Sequence, residues 1–393
     1  MLYYVAAITG HSEKPNTDLT EYPFVGVWPA HLVSWISGFD PLVFYIGFVV
    51  MCLLCDALFL ALLLRRHDMN RQSFLGAWFW IVFGTATGPV LVMRLDLFPA
   101  LAVAGCAALL FSYPAVASGL LALATTMKLW PGVLAAGLVG RATSSRTWVR
   151  LASFFGTAAA LCLVTIAFGG LDRLLSPLDY QGDRGLQIES IPATVAMWNA
   201  FRTPATYSVD FAASKSFEIT GPGVAQAIDA SDVAMTALIA AALLWAVVHF
   251  IRGRWSPDST ALFFLATILL MLTANKVFSP QYIVWFGPLI AVLLRYLPAR
   301  SGGRHSRTVS TSYLLLLAVA LLAIIVAGLS LFIFPFHYEY LTGSLSDQVA
   351  PFAALVVRNI LIIVMALLSV AAAISSLRTA DAELHDVRRS QMA

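Results

Sequence analysis

The sequence predicts an all-α integral membrane protein, folded as a single domain over residues 1–393. Of its 393 residues, 60% are hydrophobic and only 11% are charged, whereas a soluble globular domain is about half apolar and about a quarter charged. Mean hydropathy is +0.82. Apolar runs close to the roughly 20 residues that cross a bilayer recur along the chain, so we expect about 10–12 transmembrane helices.

The apolar runs place these spans at residues 41–64, 73–93, 97–111, 115–140, 151–170, 233–251, 259–275, 283–297, 312–334 and 351–374. Short basic segments between them, such as "RATSSRTWVR" and "RYLPARSGGRHSR", and the tail at 375–393 hold most of the 24 Lys and Arg residues. The positive-inside rule places these segments in the cytoplasm and the loops 10–40, 171–232 and 335–350 outside the plasma membrane. Because the net charge of +3 lies in these clusters, we expect no nucleic-acid partner.

The run at 115–140 does not fit a single crossing, which would place "RATSSRTWVR" outside. Two short half-helices that meet at "MKLWP" (127–131) return the chain to the cytoplasm, and Pro131 supplies the break. Non-helical backbone at membrane depth is tolerated where it lines a protein cavity. We therefore expect Lys128 at an outward-facing turn, with "NKVFSPQY" (275–282) turning on the same side.

The N-terminal stretch "MLYYVAAITG" is about half a transmembrane helix without a cleavable signal peptide, so we expect a truncated first span. All four cysteines lie in apolar runs. Cys52 and Cys55 have the C-x-x-C spacing of a redox motif, but we expect them to pack as small apolar residues.

Polar residues converge on the predicted outer face. Arg94, Lys128 and Lys276 are cations near membrane depth, where such charges usually face a cavity and a compensating anion. Since Lys and Arg bind phosphate through charge-assisted hydrogen bonds, these three predict a phosphate site. The carboxylates of Asp18 and Glu21 lie in the first outer loop on the same face. The candidate substrate-binding residues are Tyr22, Asp96, Arg184, Glu189, Gln281 and Tyr282.

Several of these residues have a structural alternative. Arg94 and Asp96 can pair with each other, Lys276 can extend to the interface, and Asp18 and Glu21 can be solvated loop charges. Asp56 is expected to hydrogen-bond a neighbouring helix, and His337 to lie in the interfacial aromatic belt. No metal-ligand spacing, Gly-rich phosphate loop or nucleophile elbow occurs in the sequence, so we expect neither a metal nor another cofactor.

Four segments then match a known pattern in order. They are "EYP" (21–23), "RLDLFPALAV" (94–103), "LLALATTMKLWPGVL" (120–134) and "NKVFSPQYIVWFGPL" (275–289). From about Asp18 to Gly287 the chain resembles glycosyltransferase family 87, multi-spanning enzymes of the GT-C superfamily that use polyprenyl-phosphate sugars.

The resemblance implies a GT-C-like helix bundle with its site formed by extracytoplasmic loops. It implies a base in the first outer loop (Asp18 or Glu21) and cations at the depth of the donor's phosphate (Arg94, Lys128, Lys276). The reaction would be one inverting transfer of a hexose to an envelope glycolipid or glycan, with mannose the commonest sugar of the family and arabinofuranose second. A transporter or flippase is the main alternative, and it predicts inverted repeats that the sequence lacks. A membrane scaffold would leave the three cations unexplained.

Overall fold

The computed structural model describes Tyr4, Leu19 and residues 21–65, 71–110, 112–182, 184–253, 255–297, 309–342 and 348–392. Over these residues the chain is an all-α membrane protein with almost no sheet. Six of its helices are long and apolar enough to cross a bilayer, and shorter apolar helices accompany them. The predicted all-α polytopic class is therefore confirmed by helix length and composition.

The helices and strands follow one another along the chain with short connections. The α-helices are α1 (Trp28–Ile36), α2 (Pro41–Leu63), α3 (Arg71–Thr87), α4 (Leu97–Leu109), α5 (Pro114–Met127), α6 (Ser145–Gly182), α7 (Thr194–Arg202), α8 (Val224–Arg252), α9 (Pro257–Ala274), α10 (Gly287–Tyr296), α11 (Thr311–Leu331), α12 (Glu339–Thr342) and α13 (Val349–Met392). Short 3₁₀ helices lie at Phe24–Val27, Gly88–Val90, Trp130–Leu138, Pro204–Thr206 and Pro280–Trp285, and a π-helical turn lies at Phe332–Phe336. Strands β1 (Ser208–Phe211) and β2 (Phe217–Thr220) form an antiparallel hairpin in which Ser208 is opposite Thr220.

Local sequence signals set several of these boundaries. The Asp40 side chain accepts hydrogen bonds from the amides of the second and third residues of α2, and Pro41 occupies the first position. Ser256 caps α9 in the same way. These residues satisfy amides that have no partner within the helix. At the other end of α8, Gly253 has a φ of +69° and forms a left-handed C-cap.

Two helices extend into the segment 171–232, which the sequence predicted as a loop. α6 continues to Gly182 through a kink at Gly170, whose φ of +80° is a conformation that favours glycine. α8 begins at Val224. Asp172 and Arg173, at the start of this segment, lie on the extension of α6 beyond its apolar stretch.

Residues 114–138 form two short helical segments that meet at Lys128, here called the re-entrant pair. α5 ends at Met127, and the backbone of its C-cap residue Lys128 is extended with φ −158° and ψ 134°. The 3₁₀ helix Trp130–Leu138 follows, with Pro131 in its first turn. Lys128 is therefore the tip of two short helical segments.

Both ends of this pair return to the same level of the bundle. At the start of the pair, the Ala115 carbonyl accepts a hydrogen bond from Ser153 Oγ of α6 (2.6 Å). At its end, the Leu138 carbonyl accepts one from Arg150 Nε of α6 (2.7 Å). Because Arg150 and Ser153 are about one helical turn apart, the chain enters and leaves the pair at one height.

The basic segments meet at one end of the bundle, here called the basic end. The Ala142 amide donates to the Phe250 carbonyl (3.1 Å), and Arg295 Nη2 donates to the Arg65 carbonyl (2.9 Å). α5 and α9 run from the basic end to the opposite end, and α4 and α10 run from the opposite end to the basic end. The opposite end, which carries Lys128, is called the cavity end.

The most buried of the six long apolar helices is α9, which packs mainly against α13 and also contacts α8 and the 3₁₀ helix Trp130–Leu138. In the apolar stretch of α9, 78% of residues are buried, against 11% in that of α6. A helix with exposed apolar side chains is suited to face lipid. Within the bundle, Trp80 Nε1 donates to Asp56 Oδ1 (2.7 Å) and joins α3 to α2. The prediction that Asp56 bonds to a neighbouring helix is confirmed.

A second, smaller core lies at the cavity end. It joins the segment between α6 and α8 to the segment from the π-helical turn to the start of α13, through Leu186, Ile188, Met197, Ile219, Ile333, Leu341, Phe352 and Leu355. The β-hairpin packs on this core through Ile219. The loops at this end are therefore a packed layer.

Gly26 allows the chain before α1 to approach the re-entrant tip, because a Cβ at this position would overlap the Met127 carbonyl oxygen. We expect Gly26→Ala to destabilise the protein by about 1–3 kcal/mol, the cost of overpacking. Gly156→Ala is the control, since a Cβ there meets nothing within 4 Å, and we expect it to be neutral or slightly stabilising. Melting curves in detergent measure both. Equal melting temperatures for Gly26→Ala and the wild type would show that the backbone at this contact can shift without loss of stability.

Candidate functional site

Most of the predicted site residues come together around one cavity of about 260 Å³ at the cavity end, here called the polar cavity. Its walls come from the segment before α1, the re-entrant tip, the end of α6, the β-hairpin and the 3₁₀ turn after α9. The predicted residues that line it are Glu21, Tyr22, Arg94, Lys128, Arg184, Gln281 and Tyr282. Asp18 lies outside the described residues.

A second cavity of about 510 Å³ adjoins the polar cavity. The predicted phosphate ligand Lys276 lines it, together with residues of the re-entrant segment, α8 and α9. An apolar groove of about 490 Å³ shares Val133 and Ile239 with this second cavity. The groove runs between the 3₁₀ helix Trp130–Leu138, α6 and α8, two of which expose apolar side chains. The polar cavity, the second cavity and the apolar groove therefore lie next to one another in that order, and the groove has the most apolar lining.

Glu21, Lys128 and Tyr282 line both the polar cavity and the second cavity, and they form the shared wall. Among the described residues, Glu21 is the one carboxylate that lines both. It is half-buried. A carboxylate in this position reaches a group bound on either side, which is the geometry that a general base needs between two substrates.

Lys128 is held by a carboxylate and an aromatic box. Its Nζ lies 2.5 Å from Asp96 Oδ1. The ammonium also lies 5.4, 4.7 and 5.2 Å from the ring centroids of Tyr22, Tyr282 and Trp285. Each such cation–π contact contributes about 0.5–2 kcal/mol where the cation is desolvated. Lys128 is therefore a fixed charge at the wall.

Asp96 lies behind Lys128 and outside both cavities. It is fully buried, and its Oδ1 also accepts a hydrogen bond from Trp285 Nε1 (2.6 Å). The structural alternative, an Arg94–Asp96 ion pair, is not formed in the described part of the chain. Asp96 thus orients Lys128 and Trp285, and it does not line the space where we predicted it to bind substrate.

Arg94 lines the polar cavity beside two tyrosines. The Tyr4 and Tyr22 hydroxyls share a hydrogen bond of 2.9 Å, and Arg94 donates a hydrogen bond to Tyr4. Its guanidinium forms no ion pair within the described ranges. Arg94 therefore adds a positive charge to the polar cavity.

Lys276 contacts the second cavity from its other side. Its Nζ lies 3.7 Å from Asp232 Oδ1, and the Asp232 side chain is 63% exposed. An exposed pair at this distance contributes about 0–1 kcal/mol, so Lys276 can exchange this partner for a ligand. Its carbonyl accepts a hydrogen bond from the Gln187 amide (3.0 Å), which ties the "NKVFSPQY" turn to the loop after α6.

Glu189, predicted to bind substrate, lies instead in a buried ion pair below the second core. Arg358 Nη1 donates to Glu189 Oε2 (2.6 Å), and both side chains are fully buried. Arg358 also donates to the Glu189 carbonyl. Burial raises the pKa of the Glu189 carboxyl, and the adjacent guanidinium opposes that shift. This pair anchors the loop after α6 to α13.

Sequence reasoning missed several residues that build this region. Arg358 had an available signal, because a cation within a transmembrane run is rare and needs a partner. Tyr4, Trp285 and Asp232 had no comparable signal, since their roles depend on partners distant in sequence. Gln187 and Tyr180 also line the polar cavity. His337 stacks on Phe332 with ring centroids 4.0 Å apart.

No family model matches the chain, and no curated protein or solved structure matches it either. The chemistry of the site must therefore be argued from its own residues. Those residues provide positive charge on both sides of a wall that contains a carboxylate, and a hydrocarbon-lined groove that joins one side. This arrangement suits two substrates, of which one is an amphipathic anion.

Proposed function

We propose that the protein is a membrane glycosyltransferase that moves a hexose from a polyprenyl-phosphate sugar to an envelope glycolipid or glycan. The observation that carries this proposal is the shared wall, in which Glu21 and Lys128 line both the polar cavity and the second cavity. A transferase needs two binding sites that meet at one base. The resemblance of residues 21–23, 94–103, 120–134 and 275–289 to glycosyltransferase family 87 supports the same function.

The donor is assigned to the second cavity. Its phosphate would lie between Lys276 and Lys128, and its polyprenyl chain would follow the apolar groove past Val133 and Ile239. Burying an apolar chain in such a groove is favourable by about 25 cal/mol per Å². The acceptor is assigned to the polar cavity, where Gln281 and Tyr282 are available to its hydroxyl groups.

The reaction on this assignment is a single displacement with inversion. Glu21 takes the proton of the acceptor hydroxyl, and the oxygen forms a bond to the anomeric carbon of the sugar. The bond from that carbon to the phosphate oxygen breaks, and its electron pair leaves with the polyprenyl phosphate. Fixed cations stabilise such a leaving anion because they need no reorganisation during the reaction. Asp18 is the alternative base.

The orientation follows from the basic end. Because Arg65, Arg141, Arg150 and Arg295 lie at that end, the positive-inside rule places it in the cytoplasm. The cavities then open on the outer side of the plasma membrane, where envelope acceptors are found. A GT-C-like bundle of about 10–12 spans belongs to this proposal, since the shorter apolar helices would join the six long ones in the bilayer.

The proposal is tested with purified protein in nanodiscs, a panel of radiolabelled polyprenyl-phosphate sugars and an envelope lipid extract. We expect label from one donor to move to a lipid or glycan product. Mannose is the first sugar to test, and arabinofuranose is the second, whose transfer would replace the hexose of this proposal by a pentose. Boiled protein is the control. If no sugar of the panel moves to any component of the extract, the glycosyltransferase assignment fails.

Lys276→Met should weaken donor binding by roughly 10- to 100-fold, because it removes one charge-assisted contact to phosphate. The apolar stem is kept, and the exposed pair with Asp232 adds little stability, so the melting temperature should change little. The measurement is the Kd for a non-hydrolysable polyprenyl-phosphonate sugar. Lys276→Arg is the matched control and should retain most of the affinity. Unchanged affinity in Lys276→Met would remove Lys276 from the donor site.

A polyprenyl-phosphate carrier or flippase is the second candidate, favoured by the apolar groove beside two lysines. Such a protein needs no base, whereas a transferase does. Reconstituted vesicles that move labelled polyprenyl phosphate between leaflets, with equal rates for wild type and Glu21→Gln and no sugar transfer, would favour the carrier.

A further inference from the structure

Arg184 is a buried cation in the polar cavity to which the described residues supply no counter-ion. Arg184 is only 8% exposed. Nη2 donates to Ser216 Oγ (2.9 Å), and the guanidinium lies 5.5 Å from the Tyr180 ring centroid. Its Nε has no hydrogen-bond partner. A guanidinium keeps its charge, and a buried charge is costly unless an anion accompanies it.

The hairpin carboxylate of Glu218 forms no ion pair with Arg184 and is linked to it through Ser216 Oγ, which donates to Glu218 Oε1 (3.5 Å). Glu218 accepts hydrogen bonds from the Gly185 amide (3.1 Å) and from Ser214 Oγ (2.5 Å). The ion pairs among the described residues join other side chains, namely Lys128 to Asp96, Lys276 to Asp232 and Arg358 to Glu189. An anion for Arg184 would therefore come from a ligand.

Gln187 lines the same cavity and carries a second buried polar group without a partner among the described residues. It is 2% exposed, and its Oε1 has no partner in the described part of the chain. A buried amide oxygen without a partner costs free energy unless a donor reaches it. A hydroxyl group of a ligand meets that requirement. The two side chains together fit a hydroxylated anion.

Lys215 adds a cation from the hairpin turn at a conformational cost. Its φ of +57° lies in the left-handed region, where turns usually place Gly or Asn. The turn is closed by hydrogen bonds between Ala212 and Ser216 and between Lys215 and Ala212 (both 2.9 Å). Lys215 lines the polar cavity. A non-glycine residue held in this region is a reason to look for a role of its side chain.

We propose that Arg184, supported by Gln187 and Lys215, binds a phosphate ester carried by the acceptor. This inference rests on the proposed function, which assigns the donor to the second cavity and the acceptor to the polar cavity. A polyprenyl chain needs the apolar groove, and that groove adjoins the second cavity and not the polar one. The substrate class is then a sugar phosphate or a phosphate-linked glycolipid headgroup.

The test is a binding measurement on the full chain in nanodiscs with three probes: α-D-glucose 1-phosphate, methyl α-D-glucoside and undecaprenyl phosphate. Wild-type protein should bind glucose 1-phosphate in the millimolar range or tighter and bind the neutral glucoside more weakly. Arg184→Gln should weaken the binding of glucose 1-phosphate by about 10- to 100-fold. Its affinity for undecaprenyl phosphate should stay unchanged. Arg202→Gln, an exposed arginine of α7, is the matched control and should behave as wild type.

Three results would overturn the inference. They are the same affinity for glucose 1-phosphate in wild type and Arg184→Gln, no measurable binding to the wild type, and an equal loss of undecaprenyl phosphate affinity. The last result would place the donor's phosphate at Arg184. If Arg184→Gln fails to fold, Lys215→Asn decides, since Asn tolerates the left-handed backbone while the charge is lost. Lys215→Asn should weaken the binding of glucose 1-phosphate several-fold, and an unchanged affinity would contradict the proposed site.

This outcome is separate from that of the proposed function, because sugar transfer takes no part in the readout. A protein that transfers sugar but binds glucose 1-phosphate independently of Arg184 keeps the function and loses this inference. A protein that binds the probe through Arg184 but transfers no sugar loses the proposed function and keeps the phosphate-ester site.

Discussion

Glu21→Gln should lower the turnover of sugar transfer by roughly 100- to 10,000-fold, the range in which a general base contributes. Glu21 lines both cavities at the shared wall, and the amide keeps its shape while losing the ability to accept a proton. The Kd for the donor should change little, because the phosphate is assigned to Lys276 and Lys128. The measurement is single-turnover transfer in nanodiscs alongside donor binding.

Asp18→Asn is the matched control for this substitution, since Asp18 is the alternative base of the same segment. We expect Asp18→Asn to keep most of the activity if Glu21 is the base. The reverse pattern, with an active Glu21→Gln and an inactive Asp18→Asn, would move the assignment by three residues. Full activity in both variants would exclude Asp18 and Glu21 as the base.

Arg358→Met should destabilise the protein by about 3–5 kcal/mol, the cost of removing one partner from a buried ion pair. Both side chains of the pair are fully buried, so Glu189 would be left with an uncompensated charge or would have to take a proton. Arg358 also donates to the Glu189 carbonyl, and the loop after α6 would lose its anchor on α13. Melting in detergent measures the loss of stability.

The double variant Glu189→Gln/Arg358→Met separates a charge effect from a packing effect. If the unpaired charge dominates, the double variant should melt above Arg358→Met alone, because it removes both charges. Arg202→Met, on the exposed face of α7, is the control and should melt as wild type. A melting temperature unchanged in Arg358→Met would show that this pair does not hold the cavity end together.

The elements that could be predicted from the sequence are those with a local physical signal. Lys128 and Pro131 interrupt an apolar run whose flanks have one charge pattern, and these features predicted the re-entrant pair. Asp56 lies alone in an apolar helix, and such a carboxylate needs a nearby donor, which is Trp80. The convergence of Glu21, Arg94 and Lys128 on one cavity followed from placing their turns on one side.

The remaining features depend on contacts that no local pattern encodes. Lys128 pairs with Asp96 through a contact across 32 positions, and Glu189 pairs with Arg358 across 169. Both carboxylates were expected to reach a ligand, because a polar residue near a site looks the same in sequence whether it binds a substrate or a neighbouring cation. The extension of α6 was missed for a similar reason, since polar residues of a helix above the bilayer look like a loop.

The division of the site into a donor cavity and an acceptor cavity is tested most directly by an electron cryomicroscopy map of the protein in nanodiscs with a bound polyprenyl-phosphonate sugar. We expect the phosphonate within hydrogen-bonding distance of Lys276 and Lys128, the lipid chain along Val133 and Ile239, and the anomeric carbon facing Glu21 across the shared wall. A phosphonate bound at Arg184 in the polar cavity, or a lipid chain outside the apolar groove, would contradict this division.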